Sequence, residues 1–141
     1  RKLLILAREL DLQNEFEEIQ IQNLIPESLR EGSAADFLKR ISELDGIYQN
    51  IKDAQGPNEV LRYIGELSGD LQQDKGKLEV KLISVPANSA LGSLKGSDSI
   101  FEIYTESYGE QPIVIQGAGA GASVTARGVF GDILRLSEKK L

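Results

Sequence analysis

Glycines 117, 119 and 121 alternate with alanines in the run GAGAG, directly after the apolar triplet Ile113-Val114-Ile115. Beyond them Ala122, Ala126, Val129, Ile133 and Leu136 recur at steps of three and four. The triplet predicts a buried strand, the glycines a turn, and the spacing a helix with one apolar face. A helix that begins straight after a glycine turn aims its free backbone N–H groups and the positive end of its dipole out of the turn, where an anion such as a phosphate can sit. The same glycines also suit close packing, since a backbone without Cβ atoms lets strand and helix approach tightly. As a dinucleotide fingerprint the run is partial. Its spacing is G-x-G-x-G, not G-x-G-x-x-G, and no second strand with a ribose-binding acid follows the helix. Asp132 lies too soon after Gly121 for that duty and reads as a solvent-facing charge.

The remaining chemistry is limited by what is absent. With no His and no Cys, the chain has no imidazole base, no thiolate and none of the usual zinc ligands, and no metal site is expected. Catalysis would rest on Lys, Asp, Glu, Ser, Thr or Tyr. By its local sequence alone Lys2 reads as a solvated surface group. Glu102, Tyr104 and Glu106 share one face of a predicted strand, an ordinary arrangement to which we assign no role.

At 141 residues the chain can form one domain, or one domain with an appendage. Its 40% hydrophobic and 27% charged content argues against disorder and against membrane insertion, and the first apolar run, at residues 3–7, is far too short to span a bilayer. The net charge of −6 and the scattered Lys and Arg make nucleic acid an unexpected partner. The lack of cysteine fits a cytoplasmic, reducing setting. The chain opens on Arg1 without a capping residue and contains no Met, so it is expected to be cut from a longer protein.

Several elements must position the glycine turn. Residues 1–12 predict a largely buried helix, and residues 16–25 a half-exposed strand ending at Pro26. Ser33, with Asp36 three residues on, predicts a capped helix start, and the helix is expected to run through Phe37, Leu38, Ile41, Leu44, Ile47, Tyr48 and Ile51 and stop by Gly56-Pro57. Residues 60–67 and 78–85 predict two strands joined by a hairpin turn at 68–76, the second alternating Leu78, Val80 and Leu82 on one face against Lys77, Glu79 and Lys81 on the other. Residues 86–99 predict a loop with a helical turn near 91–94, and 100–105 a further strand before a turn at 108–111. The predicted fold class is α+β: a mixed, largely antiparallel sheet of about five strands, covered on one face by helices, with a C-terminal strand, glycine turn and helix.

Two stretches also carry a family resemblance. The run PIVIQGAGAGASVTARGVFGDILRLSE at 112–138 resembles the end of homoserine dehydrogenases, and RKLLILARELDL at 1–12 resembles the helix that follows their D-V-A-R-K motif. Between them VLRYIGEL, LEVKLISV and GSDSIFEIYTES match the same region, in a form most similar to bifunctional aspartokinase–homoserine dehydrogenases. The resemblance implies NAD(P)H-dependent reduction of aspartate semialdehyde to homoserine, on the route to threonine, methionine and isoleucine. It implies that Lys2 acts on the substrate oxygen, and that Gly121 abuts the cofactor with Gly119 and Ala120 beside it.

It further implies that residues 1–116 are a partial substrate-binding and dimerisation domain, and that 117–141 return to a nucleotide-binding domain lying upstream. A homodimer is implied as well. The chain alone is then expected to be inactive and to hold no cofactor, and the apolar stripe at 122–136 to fold back on its own sheet or dock on a second copy. The competing expectation is a non-catalytic small-molecule-sensing or protein-interaction module of the same fold.

Overall fold

The structure is a computed structural model, and it describes residues 1–70 and 72–138. The chain forms two compact units, Arg1–Ala87 and Asn88–Leu141.

The first unit begins with helix α1 (Lys2–Glu9). Only one face of it is covered. Leu3 and Ala7, four residues apart, are buried, whereas Ile5, Leu6 and Leu10 are exposed, so the expectation of a largely buried helix is corrected to a helix buried along a single stripe. Leu3 and Ala7 pack with Leu12, Ile19 and Leu78 into a small core, flanked by Leu4, Leu67 and Val80. Leu78 and Val80 come from strand β3 (Lys77–Pro86), which pairs antiparallel with β2 (Glu59–Ser68) in the register Leu67 to Leu78 and Gly65 to Val80. That register puts Leu67, Leu78 and Val80 on one face, where the alternation of β3 predicted the apolar side to be. The hairpin turn expected at 68–76 is described except at Leu71, which lies outside the described residues.

The strand expected at 16–25 is much shorter. A 3-10 turn occupies Phe16–Glu18, and strand β1 covers only Gln20–Ile21, parallel to β3. It stops because a side chain takes over the pairing: the Gln22 N–H still donates to Val80 O at 2.8 Å, but the next donor on β3, Leu82 N–H, goes to Gln22 Oε1 at 2.8 Å. The helix expected from Ser33 onward is broken into α2 (Ala34–Arg40) and α3 (Glu43–Asp53). Its start is as the sequence indicated. Ser33 Oγ accepts from Asp36 N–H at 3.2 Å and Asp36 Oδ2 accepts from Ser33 N–H at 3.3 Å, a complete capping box. At the break, Arg40 makes a two-pronged ion pair with Glu43, at 2.7 and 3.0 Å, and also donates to Ser28 O. This ties the corner to the Glu27–Leu29 turn.

The second unit is an antiparallel ribbon of β4 (Asp98–Ile103) and β5 (Ile113–Ala118), followed by helix α4 (Ala122–Glu138). The five strands thus form a three-stranded sheet, ordered β1-β3-β2, and a separate two-stranded one. Residues 87–93 form turns, and the helix-like bond from Ser93 N–H to Ser89 O puts the helical turn expected near 91–94 at 89–93. β5 is longer than its apolar triplet and carries Gly117 and Ala118 as paired strand residues. The expected strand and helix are both present, but neither β5 nor α4 has a buried residue. Val129, Phe130, Ile133 and Leu136 are each more than half exposed, so the stripe does not fold back on its own sheet.

Candidate functional site

Lys2 and the glycine turn lie in different units, and each has its own local frame. Lys2 is the first residue of α1, exposed, and next to the buried Leu3. Leu3 anchors it: its Cδ1 stands 3.6 Å from where a Cβ on Gly65 of β2 would be, an ordinary contact. Beyond the helix, Arg8 donates to Leu12 O at 2.7 Å and pairs with Glu15 at 2.8 Å, while the nine-tenths buried Asn14 brackets Gly76. The helix that carries Lys2 is therefore fixed at its core face and at its exit, with its start open to solvent.

In the glycine turn the three glycines have three different reasons. Gly117 sits in β5 opposite Ser99, and a Cβ there would meet nothing within 4 Å. Gly119 is outside the left-handed region, but a Cβ on it would fall 2.0 Å from Ser99 Oγ and 2.7 Å from Ser99 Cβ, an impossible overlap. Its N–H is already used, donating to Ser97 O at 3.2 Å. Gly121 is the reverse case. Its φ of +122° suits glycine alone, while the space around its Cα is open. Its carbonyl starts α4, accepting from Thr125 N–H at 3.1 Å and from Thr125 Oγ1 at 3.0 Å.

Helix α4 follows Gly121 directly. Glycine at 121 offers no side chain to cap the first turn of α4, and the open space beside it admits a ligand close to the backbone.

Other polar clusters have structural explanations. On the hairpin face away from the core, Glu79 is held by Lys77 at 2.9 Å and Lys81 at 3.0 Å, and Lys81 also reaches Glu66 at 2.7 Å. These partners, Lys77 first, lower the Glu79 pKa below the usual carboxylate value, and Glu66 and then Glu79 raise that of Lys81. Tyr104 donates to Glu102 Oε2 at 3.1 Å. Desolvation, then that carboxylate, raises its pKa above the usual phenol value. Among the described residues no group of three or more acidic, His or Cys side chains is placed to hold a metal ion. No helix among them is long and apolar enough to cross a membrane.

Sequence reasoning missed Ser99 and Asn14. Ser99 carries no local signal, because its importance comes from a residue twenty positions later across a strand pair. Asn14 stands beside a second amide, Gln13, and only burial tells the two apart.

Comparison with known proteins places this geometry in context. The family model described as homoserine dehydrogenase matches residues 1–134. A bifunctional aspartokinase/homoserine dehydrogenase from Daucus carota, named as chloroplastic, is 43% identical over 97% of this chain and 15% of its own length. A homoserine dehydrogenase from Paracoccidioides brasiliensis is 40% identical over 99% of this chain and 37% of its own. A crystal structure of a Candida auris protein of unknown function superposes with a TM-score of 0.73 at 36% identity, covering 98% of this chain and 38% of that one. The chain thus spans well under half the length of these relatives.

Proposed function

The chain belongs to the homoserine dehydrogenase family, and on that premise we propose that it is part of an enzyme that reduces L-aspartate 4-semialdehyde to L-homoserine, to which it contributes Lys2 and one wall of the NAD(P) site. The observation that carries this reading is a single family match that includes Lys2 at one end and Gly119, Ala120 and Gly121 at the other.

NAD(P)H, when bound, supplies a hydride. Reduction of an aldehyde places negative charge on the carbonyl oxygen as its carbon accepts that hydride, and a proton must reach the oxygen to leave an alcohol. Lys2 provides a flexible ammonium with three donors, suited to stabilise that oxygen and to deliver the proton. The turn at Gly119–Gly121, with glycine at both ends, would let the cofactor come close to the backbone, and the first turn of α4 would offer N–H donors to an anionic group.

Residues 1–116 would bind substrate and form a homodimer, and 117–141 would return to the nucleotide-binding part. This division is one of duty, since β5 crosses it. The cytoplasm is the compartment that goes with this reading, although the carrot relative is named as chloroplastic. The chain alone, holding one wall of the site, is inactive and binds no cofactor.

A chimera tests the proposal. The chain replaces the matching 37% of the Paracoccidioides brasiliensis enzyme, and NADPH oxidation is followed with aspartate semialdehyde. Turnover by the chimera and none by the isolated chain is the expected result. A chimera that is folded and inactive, or an isolated chain that turns over, contradicts it.

A further inference from the structure

We propose that Ser99 is a positioning residue for the cofactor wall: its side chain fills the space over Gly119 and so sets the path by which the turn delivers the amino end of α4. This rests on the reading of the turn as an NAD(P) wall, and adds to it a residue from a different strand. The two chain segments are held together at three successive points. Asp98 pairs with Ala118 and Ser99 with Gly117 in the β4–β5 ladder, and Gly119 N–H then donates to Ser97 O at 3.2 Å. Gln116 Nε2 reaches Asp98 Oδ2 at 3.4 Å beside them. The start of β4 therefore runs alongside the turn up to Gly119, and the constraint ends there.

What the constraint does follows from the distances. A Cβ at 119 would lie 2.0 Å from Ser99 Oγ and 2.7 Å from Ser99 Cβ, while the next atom, Ser99 N, is at an ordinary 3.8 Å. The whole conflict thus comes from the Ser99 side chain. Gly119 does not have a left-handed backbone, so an alanine there is not opposed by its φ. An alanine at 119 must push β4 and the turn apart, and everything after the turn moves with it: Ala120, Gly121 with its φ of +122°, and the donors of the first turn of α4. Losing one hydrogen bond to a charged group costs roughly 10- to 100-fold in affinity.

This relationship predicts rescue by a reciprocal change. Removing the Ser99 side chain leaves only the contact at 3.8 Å, so Ser99→Gly makes room for Gly119→Ala. The test uses Gly119→Ala, Ser99→Gly and the double variant, each in the full chain and in the chimera. In the isolated chain, thermal unfolding reports packing alone. Gly119→Ala lowers the midpoint, and the double variant recovers more than half of the loss that remains after the Ser99→Gly effect is subtracted.

In the chimera, NADPH binding is titrated by fluorescence below the unfolding range. Gly119→Ala weakens binding by roughly 10- to 100-fold, as for one lost hydrogen bond to a charged group, and raises the NADPH KM more than the aldehyde KM, and adding Ser99→Gly restores most of the affinity. A double variant no better than Gly119→Ala in either assay overturns the proposal. Loss of stability and rescue without any change in NADPH binding also overturns it, by making Ser99 a packing residue only. If Gly119→Ala and Gly121→Ala both leave NADPH binding intact in an active chimera, the reading of the turn as a cofactor wall fails first, and the Ser99 proposal with it.

Discussion

Asn14 and Gly76 are joined by two hydrogen bonds of 2.9 Å each, the Asn14 amide donating to Gly76 O and its carbonyl accepting Gly76 N–H. A side chain here does what a neighbouring strand would do, and it ties the exit of α1 to the hairpin end of β3. Asn14 is the one buried polar residue among the described residues.

Replacing it leaves two backbone groups without partners. Asn14→Ala is expected to cost about 2–4 kcal/mol of stability, and Asn14→Asp more at neutral pH, because it buries a carboxylate and turns one of its oxygens on the Gly76 carbonyl. Urea unfolding of the two variants checks this order.

The small core of the first unit makes a second prediction. Leu78 is 1% exposed and contacts the stripe that holds Lys2, so Leu78→Ala is expected to destabilise the chain by about 2–5 kcal/mol. Ile5, on the same helix as Lys2 but 61% exposed, behaves differently. Ile5→Ala changes the stability of the isolated chain by less than about 0.5 kcal/mol.

The ion pairs on the outer face of the hairpin predict the pH response. Glu79 is lowered from its ordinary 4.5, so its contribution is full above that value and is lost as pH falls through the lower folded-state value. Lys81 is raised from 10.5, so its contribution is full below that value and fades as pH rises through the higher one. The expected result is a Tm that is flat between those limits and falls on the acid side below about pH 4.5. Glu79→Gln should lessen the acid-side fall, and an unchanged acid limb would assign the effect to other carboxylates.

The glycine turn was legible in the sequence as an element, and its separate reasons were not. Alternating Gly and Ala announce a turn, but sequence does not tell a glycine required by its backbone from one required by a neighbour. Gly121 is the first kind and Gly119 the second, and the difference appears only when Ser99 is brought across from β4. Ser33 and Asp36 were readable because a capping box is local. The break after Arg40 was not, since it involves a bond to Ser28, outside the helix pattern. The brevity of β1 was hidden for a similar reason: Gln22 satisfies β3 with its side chain, and composition does not distinguish that from a continuing strand. The alternation of β3 announced its two faces correctly.

The distinct reasons for the glycines give a fourth prediction. Gly121→Ala forces an L-residue into a backbone only glycine accepts comfortably, and should cost about 1–3 kcal/mol. Gly117→Ala meets open space in a strand and should be neutral or slightly stabilising. Calorimetry on the pair separates them, and equal effects would contradict the assigned conformations.

The proposed function makes Lys2 the proton donor in the reduction of an aldehyde. The most direct measurement is the steady-state kinetics of Lys2→Ala in the chimera. Loss of one general acid predicts a fall in kcat of roughly 100- to 10,000-fold, with NADPH binding retained. A Lys2→Ala chimera that turns over aspartate semialdehyde at the rate of the parent chimera would contradict the claim.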